Sequence, residues 1–421
     1  MQMKILILPL PVLTSALLLL LLSHEVDSSF IGSEKIFSKG REIIITDAVK
    51  RIKRDGYPVE VHTVQTLDGY ILKLHRIPYN GGERRPVVFL MTGIYASSDA
   101  WVLNGRENSL PYLLSNNGYD VWMGNNRGNI YTKKNVNFSP NDREFWNFSW
   151  HEMGVYDMPA MVDYILAITG QKTMHFGGVS QGATIFLVMN AMFPQYNEKF
   201  DTAHLLAPVA FVNHMKGPLA GIFAPVLGTR NYLSIMLEGV EMLSTNKFFK
   251  RLLSMGCLQD ENPHVCASRI WPAVGYDTKH LNKTLIPDIM ANFPVGGSFK
   301  QIMHYFQSYN SGKFRQYDYG PEKNKIVYNQ TSPPDYQLDR VTVPTFIYFS
   351  VNDYIVSVRD IQRLVMHLPK VHALYRMPWD KWNHLDFICG QGVKEYIFDK
   401  VVDIVNAYTY YKEKRKDISY F

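Results

Sequence analysis

The pentapeptide Gly178-Val179-Ser180-Gln181-Gly182 decides the fold because of where it lies in the chain. It follows a short apolar run at residues 174–178 and precedes an apolar helical pattern at residues 183–192. A serine on a sharp strand-to-helix turn needs small neighbours on both sides, since larger side chains would collide there. Taken alone, the five residues are also compatible with an ordinary glycine-rich turn. In its strand, turn and helix setting, the motif predicts a serine nucleophile at position 180.

Hydrophobic patterning around this motif predicts an α/β fold. Residues 59–66 and 70–77 alternate apolar and polar side chains around Asp68-Gly69, which indicates a β-hairpin. Short apolar runs of the kind buried on both faces of a parallel sheet occur at residues 87–91, 121–123, 174–178 and 205–207, and strand patterns return at residues 343–350 and 373–376. Helical patterns occur at residues 157–168, 183–192 and 395–407. We therefore predict a mostly parallel central sheet with helices on both faces.

The chain has 421 residues and no low-complexity linker, which favours one large domain with an insertion. The alternation of strands and helices stops at residues 211–334, an irregular stretch with many proline, glycine, methionine and aromatic residues. We interpret this stretch as a helical cap, or lid, inserted into a core formed by residues 29–210 and 335–421.

Two later residues complete a predicted catalytic triad. A serine hydroxyl is a poor nucleophile unless a histidine accepts its proton and an acid orients that histidine. Asp353 follows the predicted strand at residues 343–350, and His384 follows the last predicted strand. The order serine, acid, histidine is that of α/β-hydrolases. We therefore predict this fold, with Ser180 as nucleophile, Asp353 as acid and His384 as base.

Other acids and histidines near these positions fit less well. Asp360 falls inside the next predicted helix, and Asp380 and Asp386 are too close to the predicted base to satisfy the chain order. His367 lies on the helix before the last strand, and His372 lies at the wrong end of that strand.

An ester hydrolase must also stabilise the oxyanion of its tetrahedral intermediate with fixed backbone donors. The amide of Gln181, at the start of a helix, is one predicted donor. The loop Thr92-Gly93-Ile94 follows the early strand at residues 87–91, and it predicts the amide of Ile94 as the second donor. A tight turn without this role is the alternative.

The first residues predict the compartment. Lys4 precedes an apolar stretch that ends in small polar residues, which is the layout of a cleaved signal peptide at residues 1–28. A membrane anchor is the competing interpretation, but the continuously apolar segment is shorter than the ~20 residues that a spanning helix needs. We expect a protein that is secreted, extracellular or lysosomal.

Cysteines and sequons are consistent with that route. Cys257 and Cys266 are close enough to close a short loop, which leaves Cys389 unpaired; three buried free thiols are the alternative. Candidate glycosylation sites occur at Asn137, Asn147, Asn282 and Asn329.

Several other classes of function lack sequence support. The formal charge of +6 is modest for this length, and no basic patch carries interleaved aromatic residues, so nucleic acid binding is not expected. No phosphate-binding loop motif is present, so a nucleotide is not expected either. His151-Glu152 lacks the second histidine of a zinc protease helix, and no metal site is predicted.

Beyond these features, the sequence resembles the acid lipase family, which includes lysosomal acid lipase, gastric lipase and insect relatives. The matching stretches run from about residue 56 to residue 390: Gly56-Tyr57-Pro58, Asp68-Gly69-Tyr70-Ile71-Leu72, His75-Arg76-Ile77-Pro78, Gly118-Tyr119-Asp120-Val121-Trp122, Asn126-Arg127-Gly128-Asn129, Glu144-Phe145-Trp146, the serine motif, and Asn383-His384-Leu385-Asp386-Phe387.

This resemblance implies hydrolysis of acylglycerols or sterol esters, no cofactor, and a helical cap over the active site. It supports the roles given above for the triad and for the amides of Ile94 and Gln181. It also implies that Cys257 and Cys266 form a disulfide in the cap.

Two positions depart from the family pattern. The family usually has histidine where this chain has Val179, before the serine, and where it has Thr92, before the oxyanion glycine. Neither side chain takes part in the triad chemistry, so we expect hydrolysis to survive and any effect to fall on rate, pH dependence or substrate preference.

The leading hypothesis is a lipase acting on lipid esters at an oil–water or membrane interface, with no obligate protein partner. A sterol ester or small-ester esterase of the same fold would use the same mechanism. A catalytically impaired lipid-binding relative is the third hypothesis, and the intact predicted triad argues against it.

Overall fold

The structure is a computed structural model that describes residues 35–38, 41–44, 47–79, 81, 85–242, 271–277, 279–280, 282 and 285–418. The predicted signal peptide and the predicted Cys257–Cys266 disulfide lie outside the described residues.

An eight-stranded sheet forms the centre of the molecule, in the order β12-β11-β8-β7-β5-β6-β4-β3. Strands β5 to β8, β11 and β12 pair in parallel, while β3 and β4 form the predicted antiparallel hairpin at one edge. The described strands are β1 (Lys35–Ser38), β2 (Arg41–Ile44), β3 (Glu60–Gln65), β4 (Ile71–Ile77), β5 (Val87–Met91), β6 (Asp120–Gly124), β7 (Met174–Val179), β8 (Phe200–Leu206), β9 (Glu241–Met242), β10 (Gly297–Ser298), β11 (Thr345–Phe349) and β12 (Val371–Arg376).

Helices surround this sheet and also make up much of the predicted insertion. The described α-helices are α1 (Ala48–Arg54), α2 (Leu110–Asn116), α3 (Trp150–Glu152), α4 (Met158–Thr169), α5 (Gln181–Met192), α6 (Pro218–Leu227), α7 (Tyr232–Leu237), α8 (Trp271–Val274), α9 (Ile286–Asn292), α10 (Phe299–Ser311), α11 (Pro321–Tyr328), α12 (Val358–His367), α13 (Asp386–Cys389) and α14 (Asp399–Ile418). Within the described ranges, no helix is both long enough and apolar enough to cross a bilayer.

Helices cover both faces of the sheet, as predicted. Along β5, Phe89 belongs to a core shared with α4, α5 and α12, whereas Leu90 belongs to a second core shared with α1, α2 and α14. This alternation follows from the two-residue period of a strand, and it explains why the central strands are apolar throughout. The predicted α/β-hydrolase fold is confirmed.

Strand β8 begins at Phe200, five residues earlier than predicted. Polar residues interrupt the apolar pattern there, yet their side chains are buried and paired inside the fold. Thr202 Oγ1 lies 2.8 Å from His175 Nδ1, and the Nδ1 atom of His204 lies 3.2 Å from the Tyr348 hydroxyl. The prediction was wrong at this boundary because tertiary hydrogen bonds satisfy polar groups that would otherwise disfavour a buried strand.

The predicted helices also differ from the observed ones at their ends. Helix α4 follows a π-helical turn at Met153–Asp157 and ends at Thr169, before Gly170, which has a left-handed φ of 64°. Helix α14 continues to Ile418, well past the predicted end at residue 407. Its last turns are polar, and Lys412 Nζ reaches Asp201 Oδ1 at 2.7 Å on strand β8. The helix was predicted from hydrophobic periodicity, which does not reveal an ion pair, so its last turns were missed.

Candidate active site

Ser180 lies on a strained turn between β7 and α5. Its φ of 53° and ψ of −119° place a non-glycine residue in a rarely populated backbone region. The Ser180 amide donates to the carbonyl of Leu206 at 2.9 Å, which ties the turn to the neighbouring strand. A Cβ atom on Gly178 would lie 2.9 Å from the amide nitrogen of Ala183, and one on Gly182 would lie 2.4 Å from the Met91 carbonyl oxygen. The small residues predicted on either side of the serine are therefore required by the packing.

We expect Gly182→Ala to destabilise the fold by about 2–3 kcal/mol, because its new methyl group meets backbone rather than a movable side chain. The measurement is the free energy of unfolding in denaturant. Gly221→Ala is the matched control, since Gly221 lies within α6 and a Cβ atom there meets no atom of the described residues within 4 Å. The control should gain about 0.5–1 kcal/mol from helix propensity. Equal effects of the two substitutions would contradict the packing argument.

The structure brings the three predicted triad residues together. His384 Nε2 lies 2.8 Å from Ser180 Oγ, and His384 Nδ1 lies 2.7 Å from Asp353 Oδ2. The three side chains are buried, with residue exposures of 7%, 7% and 1% for Ser180, His384 and Asp353. This is the geometry in which a histidine can accept a serine proton while a carboxylate fixes its tautomer.

Local backbone contacts hold the acid and the histidine in place. The second carboxylate oxygen of Asp353 accepts hydrogen bonds from the amides of Ile355 and Val356, at 2.8 and 2.9 Å. The His384 amide donates to the carbonyl of Val274 at 3.1 Å. Because Val274 ends the short helix α8, a piece of the predicted insertion supports the loop that carries the histidine.

Four of the five rival residues lie away from the triad. Asp360 lies inside α12 and binds His214, with the His214 Nδ1 atom 2.8 Å from its Oδ1 atom. Asp380 forms an exposed ion pair with Arg376. His367 ends α12, and His372 lies near the start of β12.

The loop after β5 approaches the serine. A Cβ atom on Gly93 would lie 3.2 Å from Ser180 Cβ, so only a glycine leaves this space open next to the nucleophile. In the part of the chain that the structure describes, the amides of Ile94 and Gln181 donate no hydrogen bond. Both N–H groups therefore lack an acceptor among the described residues, and their role as oxyanion donors stays a prediction.

Thr92 and Val179, the two departures from the family pattern, are both buried. Val179 ends β7 and packs into the core shared with α1, α2 and α14. Thr92 is fully buried, and its hydroxyl has no hydrogen-bond partner among the described residues. Neither side chain takes part in the hydrogen bonds that join the triad.

The other candidate positions are also placed. Cys389 is a buried free thiol, as predicted, and its Sγ atom donates to the carbonyl of Leu385. Asn137, Asn147 and Asn329 are exposed, whereas Asn282 is half-buried. Glycosylation of these residues stays a prediction.

A second acid lies close to the histidine loop. Asp386 is fully buried, its Oδ2 atom accepts the amide of Asn383 at 2.7 Å, and its carboxyl group contacts that of Asp277. Burial, together with the neighbouring Asp277, raises the pKa of Asp386 well above its ordinary value.

The raised pKa of Asp386 predicts that the difference in stability between Asp386→Asn and the parent protein depends on pH. The folded state keeps a proton that the unfolded state loses, so the stabilising effect is present below the ordinary pKa of 3.8 and is lost as pH rises towards the folded pKa. Asp386→Asn keeps an acceptor for Asn383 and a permanent donor for Asp277. Its stability relative to the parent should therefore increase with pH, by up to about 1.4 kcal/mol per pH unit.

Denaturant unfolding at several pH values between 4 and 8 measures this difference. Asp380→Asn is the control, because the Asp380 side chain is 72% exposed. A difference between Asp386→Asn and the parent that does not change with pH would contradict the assignment of a raised pKa.

Sequence reasoning missed the supporting contacts from the predicted insertion. Val274 reaches the histidine loop, and Gln301 on α10 reaches the serine turn, where its Oε1 atom lies 2.8 Å from Gln181 Nε2. The glycine at position 275 was the available sequence signal, and its φ of 113° shows that the backbone there is constrained. Nothing in the sequence indicated which loop of the core this part of the chain contacts.

Fold and site together define the chain as an α/β-hydrolase, because the serine turn, the acid and the histidine follow the expected strands of the expected sheet. Two family models match: a partial α/β-hydrolase lipase region at residues 48–105, and the α/β hydrolase fold at residues 86–226.

The similarity to known lipases covers much more of the chain than either family model does. Lipase 3 of Drosophila melanogaster is 45% identical over 370 residues, which cover 86% of this chain and 94% of that protein. Human gastric triacylglycerol lipase is 35% identical over 359 residues, which cover 83% of this chain and 88% of that protein. The chain therefore belongs to the acid lipase family, as its motifs indicated.

Solved structures agree with the fold. A Sulfolobus solfataricus protein aligns with a TM-score of 0.57 at 15% identity, over 83% of this chain and 94% of that chain. A soluble variant of the Saccharomyces cerevisiae monoglyceride lipase aligns with a TM-score of 0.50 at 17% identity, over 83% of this chain and 97% of that chain.

Proposed function

We propose that the chain is a lipase that hydrolyses the carboxylic ester bonds of acylglycerols through a covalent acyl-enzyme. The hydrogen-bonded series Asp353, His384 and Ser180 carries this proposal. A serine paired with a histidine in this way suits acyl transfer, because the histidine can accept the proton and later return it to the leaving group.

Each residue then has a chemical role. Ser180 Oγ attacks the ester carbonyl while His384 Nε2 takes its proton, and the amides of Ile94 and Gln181 stabilise the oxyanion that forms. The protonated histidine gives its proton to the departing alcohol. Water then attacks the acyl-enzyme with the same histidine as base, which releases the fatty acid and restores Ser180.

The substrate class follows from the surroundings of the serine and from the family. Ser180 is only 7% exposed, so substrate has to reach it through a largely enclosed space. We propose that residues 211–334 act as the cap over this space and that lipid esters enter from an oil–water or membrane interface. Human gastric triacylglycerol lipase, a relative, is named for triacylglycerols.

The proposed compartment is extracellular or lysosomal. Cleavage of residues 1–28 as a signal peptide would deliver the chain to an oxidising compartment, where Cys257 and Cys266 can form the proposed disulfide. The exposed sequons at Asn137, Asn147 and Asn329 are then accessible to glycosylation.

A comparison of three ester classes tests the proposal. Purified protein, with Ser180→Ala as the blank, is given emulsified long-chain triacylglycerol, emulsified sterol ester and a small soluble ester, each from pH 4 to pH 9. We expect the greatest release of fatty acid from the triacylglycerol. Preferential cleavage of the sterol ester or the soluble ester would replace the lipase proposal with the corresponding esterase. Folded protein without activity above the blank would indicate a lipid-binding relative.

A further inference from the structure

The segment at residues 295–301 belongs to the predicted insertion, yet it contacts the loop after β5 directly. The Val295 amide donates to the carbonyl of Tyr95 at 2.9 Å, and the Tyr95 hydroxyl donates to the carbonyl of Ser298 at 3.1 Å. Tyr95 directly follows Ile94, is 7% exposed and has a φ of 53°. These two hydrogen bonds therefore hold a strained residue next to one of the two unengaged amides.

The same segment also contacts the side chain of Gln181, the residue that carries the other amide. Gln301 lies in the first turn of α10, and its Oε1 atom accepts a hydrogen bond from Gln181 Nε2 at 2.8 Å. Both side chains are almost fully buried, at 2% and 1% exposure. A buried hydrogen bond between two side-chain amides fixes the orientation of both side chains, because breaking it would leave buried polar groups without a partner.

Close packing joins the two contacts. A Cβ atom on Gly297 would lie 2.7 Å from Tyr95 Cδ1 and 2.7 Å from Gln301 Nε2. Only glycine lets the segment touch both residues. Further along α10, the Tyr305 hydroxyl lies 2.9 Å from Thr184 Oγ1, in the first turn after the serine.

We propose that residues 295–301 position the two oxyanion donors, and that Gln301 is the positioning residue for the Gln181 amide. The insertion is then a part of the catalytic framework as well as a cover. An oxyanion hole accelerates a reaction only if its donors are fixed before the charge develops. Contacts from one segment to both donor loops supply that fixation.

The proposal rests on the proposed roles of the Ile94 and Gln181 amides, so its test uses a probe that does not depend on the lipid class. An alkyl fluorophosphonate reacts as Ser180 Oγ attacks phosphorus, fluoride leaves and His384 takes the proton. Saturation kinetics of this labelling give the maximal rate kinact and the half-saturating concentration KI. Parent protein, Gln301→Met and Gln307→Met are compared.

Gln307 makes a suitable control because it lies on the same helix and its side-chain amide also makes hydrogen bonds. It donates to the carbonyl of Asp318 at 2.9 Å and accepts the Asp318 amide at 2.8 Å, within the insertion itself. Both substitutions remove an amide while keeping the length of the side chain. Thermal unfolding midpoints of the two variants should agree within about 4 °C.

We expect kinact of Gln301→Met to fall about tenfold, less than the 10²–10³-fold cost of removing a donor, because the donor is displaced rather than lost. KI should stay within about twofold, and Gln307→Met should label like the parent. Equal kinact values for both variants would overturn the proposal, even if the parent cleaves triacylglycerol. Conversely, a parent that labels but releases no fatty acid would contradict the substrate class alone.

Tyr95→Phe provides a second test that does not depend on the folding of Gln301→Met. It removes one oxygen and the hydrogen bond to the Ser298 carbonyl, with almost no change in volume. A fall in kinact without a change in KI supports the positioning role. An unchanged kinact would overturn the claim that the segment acts on the loop after β5.

Discussion

Ser180→Ala lowers the rate of ester hydrolysis by at least about 10³-fold, because no acyl-enzyme can form without the serine hydroxyl. The variant removes the only atom within reach of His384 Nε2 that can form an acyl-enzyme among the described residues. Because the methyl group of alanine occupies the place of the serine Cβ, the fold should be unchanged. Fatty acid release from emulsified substrate, with excess enzyme, measures the residual activity.

Ser332→Ala is the control for this substitution. Ser332 is exposed, and among the described residues only its backbone carbonyl takes part in a hydrogen bond, with the side chain of Gln330. The control should retain full activity. Residual hydrolysis by Ser180→Ala above one thousandth of the parent rate would require another nucleophile and would contradict the triad assignment.

Asp353→Asn should lower kcat by about 10⁴-fold, because it favours the tautomer of His384 that cannot accept the serine proton. One carboxylate oxygen accepts the amides of Ile355 and Val356, and an asparagine would keep its carbonyl oxygen there. Its NH₂ group would then face His384 Nδ1, where Asp353 Oδ2 now lies at 2.7 Å. An NH₂ donor at this position places the imidazole proton on Nε2, so that His384 can no longer accept the proton of Ser180.

Steady-state kinetics with a soluble ester separate this effect on kcat from any effect on KM. Asp339→Asn serves as the control, because Asp339 is exposed and lies before β11 rather than after it. The imidazole proton can also be located by NMR. A variant that retains the Nδ1-protonated tautomer and yet loses activity would contradict this explanation.

The serine turn, the sheet and the triad were predictable because each leaves a local pattern. The glycines around Ser180 indicate, within five residues, that the turn has no space for larger side chains. The apolar run of β5 indicates a strand that is buried on both faces. Asp353 and His384 each follow a strand, and the carboxyl ends of parallel strands share one edge. Chain order was therefore sufficient to bring them together.

Contacts made by the insertion were not predictable, because they depend on tertiary packing rather than on periodicity. Gln301 looks like any polar residue on an amphipathic helix, and its partner Gln181 is 120 residues earlier in the chain. The same reason explains the error at β8, where His204 is polar in sequence but stacks on Phe346 inside the fold. Buried polar pairs can be recognised only when the positions of both partners in the fold are known.

Strand β11 pairs with β8 on one side and with β12 on the other, although β8 precedes the insertion and β11 follows it. The edge of the sheet that carries Asp353 and His384 therefore forms from the last part of the chain to be synthesised. A nascent chain can build the serine turn, but it has no base to activate Ser180 until β11 and β12 have docked over a long sequence separation. The topology thus leaves Ser180 without its base until folding is nearly complete.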